Sequence, residues 1–265
     1  MDEANGPVHP AYGVARQVTA AAAVVLAQNP SAMTLDGTNS WVLRAPGQGS
    51  CVVVDPGPDD DAHLDRLREQ GPVELILLTH RHADHAEGAR SLADATGAPV
   101  RALDPQLVLG AEGLGAGAVV GAAGLELRVV ATPGHTDDSL SFLVEGDASV
   151  LTGDTVLGRG TTVVEDLGAY LASLGRLAEL PASTTLLPGH GPDLADAADT
   201  AREYLAHREQ RLDQVRAALA DLGRAPGEVD PRAVVEVVYA DVDRQLWPAA
   251  DRSVAAQLAY LRARA

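Results

Sequence analysis

Lysine is absent from the 265 residues, and all 20 basic side chains are arginine. That absence excludes a lysine nucleophile, a Schiff-base lysine and the lysine of a phosphate-binding P-loop. A single cysteine, Cys51, has no partner for an internal disulfide and cannot build a cysteine-based zinc knuckle. Any metal would therefore have to be held by histidine and carboxylate. Long apolar runs are also missing. Residues 18–27 form the longest near the start, ten residues including Thr19, about half of the ~20 that a spanning helix needs. Asp2 and Glu3 stand where a secretory leader carries basic residues, and no apolar segment follows directly. A cytoplasmic protein with no membrane contact is expected.

The chain has ample material for a core, with 46% apolar residues and a length that allows one domain of about 200 residues and a small appendage. Disorder is excluded by that apolar content. The 37 acidic residues give a net charge of −17, and the excess is uneven. Residues 200–265 hold ten arginines and ten acids, whereas residues 1–199 hold ten arginines and 27 acids. Such a field repels polyanions, so nucleic acid could be held only by a local arginine cluster.

Short apolar runs ending in a polar residue recur through the first 190 residues. Strands are expected at 51–54, 75–78, 125–131, 149–152 and 185–187, delivering Asp55, His80, His135, Asp154 and His190 at or just beyond their exits. Residues 41–44 and 140–144 read as two more, with turns at 45–47 and 145–147. Helices are expected at 86–96, closed by Gly97, and along the stripe Leu167, Leu171, Leu174 and Ala178. A long one through Leu205, Leu212, Val215 and Leu219 ends at Gly223. After residues 225–227, Val234, Val235 and Val238 mark one short helix and Val254, Leu258 and Leu261 another. Two units follow: a catalytic domain at 1–199 and a mostly helical unit at 200–265.

The strongest signal is Thr79-His80-Arg81-His82-Ala83-Asp84-His85. His80 and His82 lie two apart beyond a strand, so extended backbone turns both imidazoles to one side, where they can bind one ion. Asp84 and His85 follow as the chain enters a helix and point to a neighbouring position. With the other strand exits, His80, His82 and His135 would hold one ion and Asp84, His85 and His190 a second, with Asp154 bridging. Nitrogen and carboxylate donors without thiolate suit zinc best, with iron or manganese as substitutes. Two divalent cations so held stay electrophilic enough to activate water, which is a hydrolase's requirement.

These motifs, with Pro133-Gly134-His135-Thr136, Thr152-Gly153-Asp154 and Pro188-Gly189-His190, resemble the metallo-β-lactamase superfamily over residues 15–192. Asn29-Pro30-Ser31, residues 34–40, His135-Thr136-Asp137-Asp138 and residues 160–163 are similar to its β-lactamase-like-protein-2 subfamily, which includes single-strand endoribonucleases and has thioesterase relatives. Ser139 departs from that pattern, where relatives often have histidine, as does Glu87, where many have a small residue. The tail from Gly227 to Arg262, including Trp247-Pro248-Ala249-Ala250, is similar to a small winged-helix-like domain. The resemblance implies an α/β fold, an αββα four-layer sandwich with the ligands at one edge between two sheets. It also implies that Asp84 both ligates metal and orients the nucleophilic water.

Blander readings stand beside these. Asp84 could be a helix N-cap paired with Glu87. Asp55 reads as a turn or cap rather than a ligand, His9, His63 and His207 as solvated, and Cys51 as core. Arg81 is equally a surface residue or a substrate contact. Arg159, Thr161 and Asn39 are candidate substrate contacts. The expected reaction is hydrolysis of an ester or thioester on a small acyl substrate. Single-stranded RNA cleavage and a non-catalytic metal-stabilised scaffold are the alternatives, and the tail could form a homodimer or lid the site through Trp247 and Tyr239.

Overall fold

A computed structural model describes residues 12–264, so Asp2, Glu3 and His9 lie outside the described residues. The chain runs β1 (Arg16–Gln17), β2 (Ala22–Leu26), β3 (Asn39–Leu43), β4 (Cys51–Val54), α1 (Asp61–Arg68), β5 (Val73–Leu77), α2 (Ala83–Ala86), α3 (Ala89–Thr96) and β6 (Val100–Arg101). These six strands pair in sequence order as one sheet. The second half continues β7 (Val119–Ala122), β8 (Leu125–Ala131), β9 (Leu140–Val144), β10 (Ser149–Gly153), α4 (Leu167–Ala178) and β11 (Thr185–Pro188), and its five strands form a second sheet in the order β11-β10-β9-β8-β7. The helices α5 (Ala197–Leu222), α6 (Pro231–Val238) and α7 (Trp247–Arg262) complete the chain.

Burial explains the layering. Trp41, Val54, Leu77, Leu127, Phe142 and Leu151 belong to one apolar layer between the sheets. The opposite faces are covered by helices: α1 and α3 pack Leu64, Leu67 and Leu92 against the first sheet, and α4 and α5 pack Tyr170, Leu174 and Tyr204 against the second. This is the expected four-layer αββα arrangement. Strand β4, antiparallel to β3, parallel to β5 and covered on both faces, is buried at every residue and reads as the unbroken Cys-Val-Val-Val. By contrast β8 alternates, with Leu125, Leu127 and Val129 buried and Glu126 and Arg128 exposed, because one of its faces meets solvent. Each buried aliphatic side chain contributes roughly 1.5–3 kcal/mol.

Helix ends follow local chemistry. Asp60, Asp166, Asp196 and Asp230 each accept a backbone amide hydrogen at an N-terminus, and Gly97 and Gly223 terminate α3 and α5 in the left-handed conformation. One expectation differs from the structure in detail. The helix expected over 86–96 breaks at Glu87 and Gly88. A side chain at Gly88 would lie 2.8 Å from the Pro58 carbonyl, and its amide donates to Gly57. The apolar stretch near the start forms β2 within the first sheet. Helix α5 runs unbroken through residues 199 and 200. Its C-terminal half packs Val215 and Leu219 against α6 and α7 in a separate small core with Val234, Val235 and Val254. Among the described residues no helix is long and apolar enough to cross a membrane.

Candidate metal centre

The seven residues expected as ligands converge at the strand ends. His80, His82 and His135 form one group, Asp84, His85 and His190 another, and His80, His85 and Asp154 a third. Within each group the donor atoms lie within 4.8 Å of one another. His82 Nδ1 is 3.1 Å from His80 Nε2 and 3.0 Å from His135 Nε2. On the other side His190 Nε2 is 3.2 Å from His85 Nε2 and 3.2 Å from Asp84 Oδ2. Asp154 lies between the groups, with Oδ1 3.4 Å from His85 Nε2 and Oδ2 3.4 Å from His190 and 3.6 Å from His135. Asp84 is in the first turn of α2, whose N-cap, His82, has no side-chain capping bond. Its carboxylate faces the histidines.

Outer partners fix the tautomers. His135 Nδ1 is 2.7 Å from the Val163 carbonyl and His190 Nδ1 3.0 Å from the Gly37 carbonyl, so both donate there. His85 Nδ1 donates to Asp55 Oδ2 at 2.9 Å. Thr79 Oγ1 donates to the same carboxylate at 2.7 Å, which leaves its oxygen to accept from His80 Nδ1 at 2.9 Å. In their neutral forms His80 and His135 therefore turn Nε2 lone pairs toward His82 Nδ1, and His85 and His190 turn theirs toward each other. Lone pairs facing at about 3 Å repel unless a cation lies among them. Asp154 Oδ1 is also buried without a hydrogen-bond partner among the described residues, a costly state that coordination would relieve. On both counts the residues fit divalent cations.

Electrostatics give the same sign. Burial, reinforced by His85 and the other imidazoles, pushes His80 well below its ordinary value. Burial and His135 lower His82. Both are neutral donors at neutral pH. For His190, burial is outweighed by the Asp154 and Asp84 carboxylates, which hold it up at about 9. His85 is raised well above its ordinary value, because Asp154 and Asp55 overcome its burial. Asp154 stays ionised despite burial because His190 and His85 stabilise its charge. The cluster attracts positive charge.

Glycine is required where ligand strands meet. A Cβ on Gly189 would lie 2.5 Å from Asp154 Oδ1 and 2.7 Å from His85 Cε1. One on Gly134, at φ +135°, would lie 2.4 Å from Tyr170 Cα.

Asp55, expected as a turn or cap, is an outer support of the centre. It is 1% exposed, at φ +53°, and accepts from the Thr79 amide, the Thr79 hydroxyl and His85. Its position at a strand exit, like that of the ligands, was the available signal. His63 is not solvated: it is buried and bonds Ser40 Oγ at 2.8 Å. Cys51 is buried in β4. Arg81 is engaged by Asp137, Asp138 and Glu165. Ser139, at the departure from the subfamily pattern, is buried and bonds the Thr136 amide and hydroxyl.

A cavity of about 340 Å³ opens onto His135 and Asp154. Leu157 and residues 159–163 form one wall, Met33 and Leu35 another, and Tyr239, Val242 and Leu246 from the helical tail close it. Arg159 and Thr161 line it, with Arg159 paired to Asp36. Asn39 does not. It is 1% exposed, and its amide donates to the Pro188 and Gly191 carbonyls, tying the first sheet to the loop carrying His190. His207 lines the cavity beside Arg208 and Arg211, residues the sequence reading did not select.

Comparison with known proteins agrees with this architecture. Residues 33–190 match the metallo-beta-lactamase superfamily and residues 231–264 the beta-lactamase associated winged helix domain. The chain is 33% identical to the beta-lactamase-like protein 2 homolog of Drosophila melanogaster, covering 92% of this chain and 89% of that protein. It is 34% identical to the thioesterase pkgB of Emericella nidulans, over 74% of this chain and 58% of that protein. The structure of a beta-lactamase domain protein from Burkholderia ambifaria superposes with a TM-score of 0.79 at 24% identity, covering 97% of this chain and 90% of that one. A di-iron-bound crystal structure of a further protein superposes at 0.52 with 28% identity, over 62% of this chain and 92% of that one. With residues 33–190 matched to its family model and the helical tail matched separately, the chain belongs to the metallo-beta-lactamase superfamily and is a hydrolase of that superfamily.

Proposed function

We infer that the chain binds two divalent ions, zinc by the chemistry of its donors, and hydrolyses an ester or thioester of a small acyl substrate. The observation that carries this reading is the cavity, which is a bounded space of about 340 Å³ ending at His135 and Asp154. That volume is at the lower end of the ~300–1,000 Å³ usual for small-molecule sites. Leu35, Leu157, Val242 and Leu246 give it apolar walls suited to an acyl group. The thioesterase name of a 34%-identical relative supports the same class.

Divalent cations bound there would polarise a carbonyl and acidify water. His80, His82 and His135 would hold one, Asp84, His85 and His190 the other, and Asp154 would serve both. Asp84 and His82 are the two of these seven side chains that are not fully buried. That exposure supports the reading that Asp84 accepts a hydrogen bond from the attacking water and orients it. The walls exclude bulk water from the acyl group and set its approach to the ligand cluster.

The test is incubation of the metal-loaded protein with a panel of acyl thioesters and with labelled single-stranded RNA, with EDTA and Asp84→Ala as controls. Thioester hydrolysis lost in both controls is expected. RNA cleavage with every thioester intact would replace this reading with a nuclease, and turnover of neither by fully metallated protein would leave a scaffold.

A further inference from the structure

Arg208 is an arginine in the apolar stripe of a helix. It projects from α5 between the layer positions Tyr204 and Leu212 and is 4% exposed. Its Nη2 donates to the Thr162 carbonyl at 2.6 Å, and its guanidinium stacks over Tyr170, 5.1 Å from the ring centre. Nε is buried without a hydrogen-bond partner, and among the described residues no carboxylate pairs with this cation. A buried, unpaired charge is costly, and such groups are normally matched by a counter-ion. Arg208 lines the cavity that ends at His135.

Arg211, three residues on, lines the same cavity. It stacks on Tyr239 at 4.8 Å and bonds Gln214, again without an acidic partner among the described residues. Arg159, at the same cavity, differs in being neutralised by Asp36. Among the described residues the only acidic side chain lining the space is Asp154, which belongs to the candidate ligand cluster. In a chain of net charge −17, two unpaired arginines thus meet at one small cavity.

We propose that Arg208 and Arg211 form an oxyanion-binding subsite that selects acyl substrates carrying a carboxylate or phosphate away from the scissile bond. This rests on the hydrolase reading above and names its substrate class. A guanidinium binds either group through charge-assisted hydrogen bonds. The anionic group neutralises the buried cation and orients the acyl group toward His135 and Asp154. It resides either on the acyl chain or on the leaving group, as in a phosphopantetheine thiol.

Equilibrium binding to the metal-loaded protein separates the two sources without needing turnover. Adipate is compared with hexanoate, and 4′-phosphopantetheine with pantetheine. Within each pair the metal-binding end is the same, and only the distal anion differs. A preference of about tenfold or more for the anionic member of one pair is expected, and which pair shows it identifies the source. Arg208→Gln should bring that ratio near one. Because Arg208 also holds Thr162, Arg211→Gln serves as the variant that leaves this bond in place, and it should reduce the ratio several-fold. Ratios within twofold in both pairs, or a ratio unchanged in both variants, would overturn the subsite. Hydrolysis of thioesters is scored separately: a retained ratio without turnover leaves the subsite standing and removes the thioesterase reading.

Discussion

Asp55 Oδ2 accepts a hydrogen bond from His85 Nδ1 at 2.9 Å, and the same oxygen accepts the hydroxyl hydrogen of Thr79 at 2.7 Å. Through Thr79 it also governs His80, so one carboxylate orients an imidazole from each half of the candidate metal centre. Supports of this kind fix ring orientation and raise the basicity of the ligating nitrogen.

Asp55→Asn should therefore weaken metal binding by about 10–100-fold. Chelator competition measures it, with far-UV circular dichroism to show the fold retained. Thr79→Val, which removes the relay to His80 alone, should have a smaller effect. Wild-type metal affinity in Asp55→Asn would contradict the assigned role.

Gly189→Ala places a methyl group 2.5 Å from Asp154 Oδ1 and 2.7 Å from His85 Cε1. Both side chains are buried, with little room to retreat. The variant should fold yet purify with less than half the metal of the wild type, read by elemental analysis, and lose turnover in proportion.

Burial pushes His63 down to about 4 from an ordinary value of 6.5. The unfolded chain takes up this proton below about pH 6.5, whereas the folded chain refuses it until about pH 4, so stability falls as pH drops through that window. The contribution is present in full above pH 6.5 and amounts to about 3 kcal/mol at most. In EDTA-treated protein, the difference in urea midpoint between pH 7 and pH 4.5 should be smaller for His63→Gln than for the wild type.

Tyr204 hydroxyl donates to the Gly160 carbonyl at 2.7 Å and accepts from the Leu157 amide at 3.1 Å, pinning the wall of the cavity from α5. Tyr204→Phe leaves that buried amide unpaired, at a cost of about 1–3 kcal/mol. A lower melting temperature and a KM raised several-fold, with kcat changed less, are expected. Unchanged KM would show that the wall is held without this bond.

The side-chain cluster was legible because chemistry and geometry coincide in one short segment: His80, His82, Asp84 and His85 all follow β5, and each remaining member follows an apolar run. The sandwich was legible for the same reason, since β4, β8, β9 and β10 are bounded by turn residues. The edge strands β1, β6 and β7 were not, being short or, in β7, interrupted by glycine. Asp55 was hidden because Asp before Pro-Gly is ordinary turn chemistry, and only the tertiary approach of His85 gives it a second role. Arg208 left a trace: Leu205, Leu212, Val215 and Leu219 mark a stripe in which position 208 should be apolar. Sequence periodicity exposes such a break but does not show the cavity facing it.

Each sheet is drawn from one contiguous stretch, residues 16–101 for the first and 119–188 for the second. His80, His82, Asp84 and His85 come from the former stretch, and His135, Asp154 and His190 follow strands of the latter. Bound ions would then act as rivets between the two stretches, in addition to the apolar layer they share. Chelation would unfasten one half of the molecule from the other at this edge, and two separately expressed fragments should reassociate more tightly when zinc is restored.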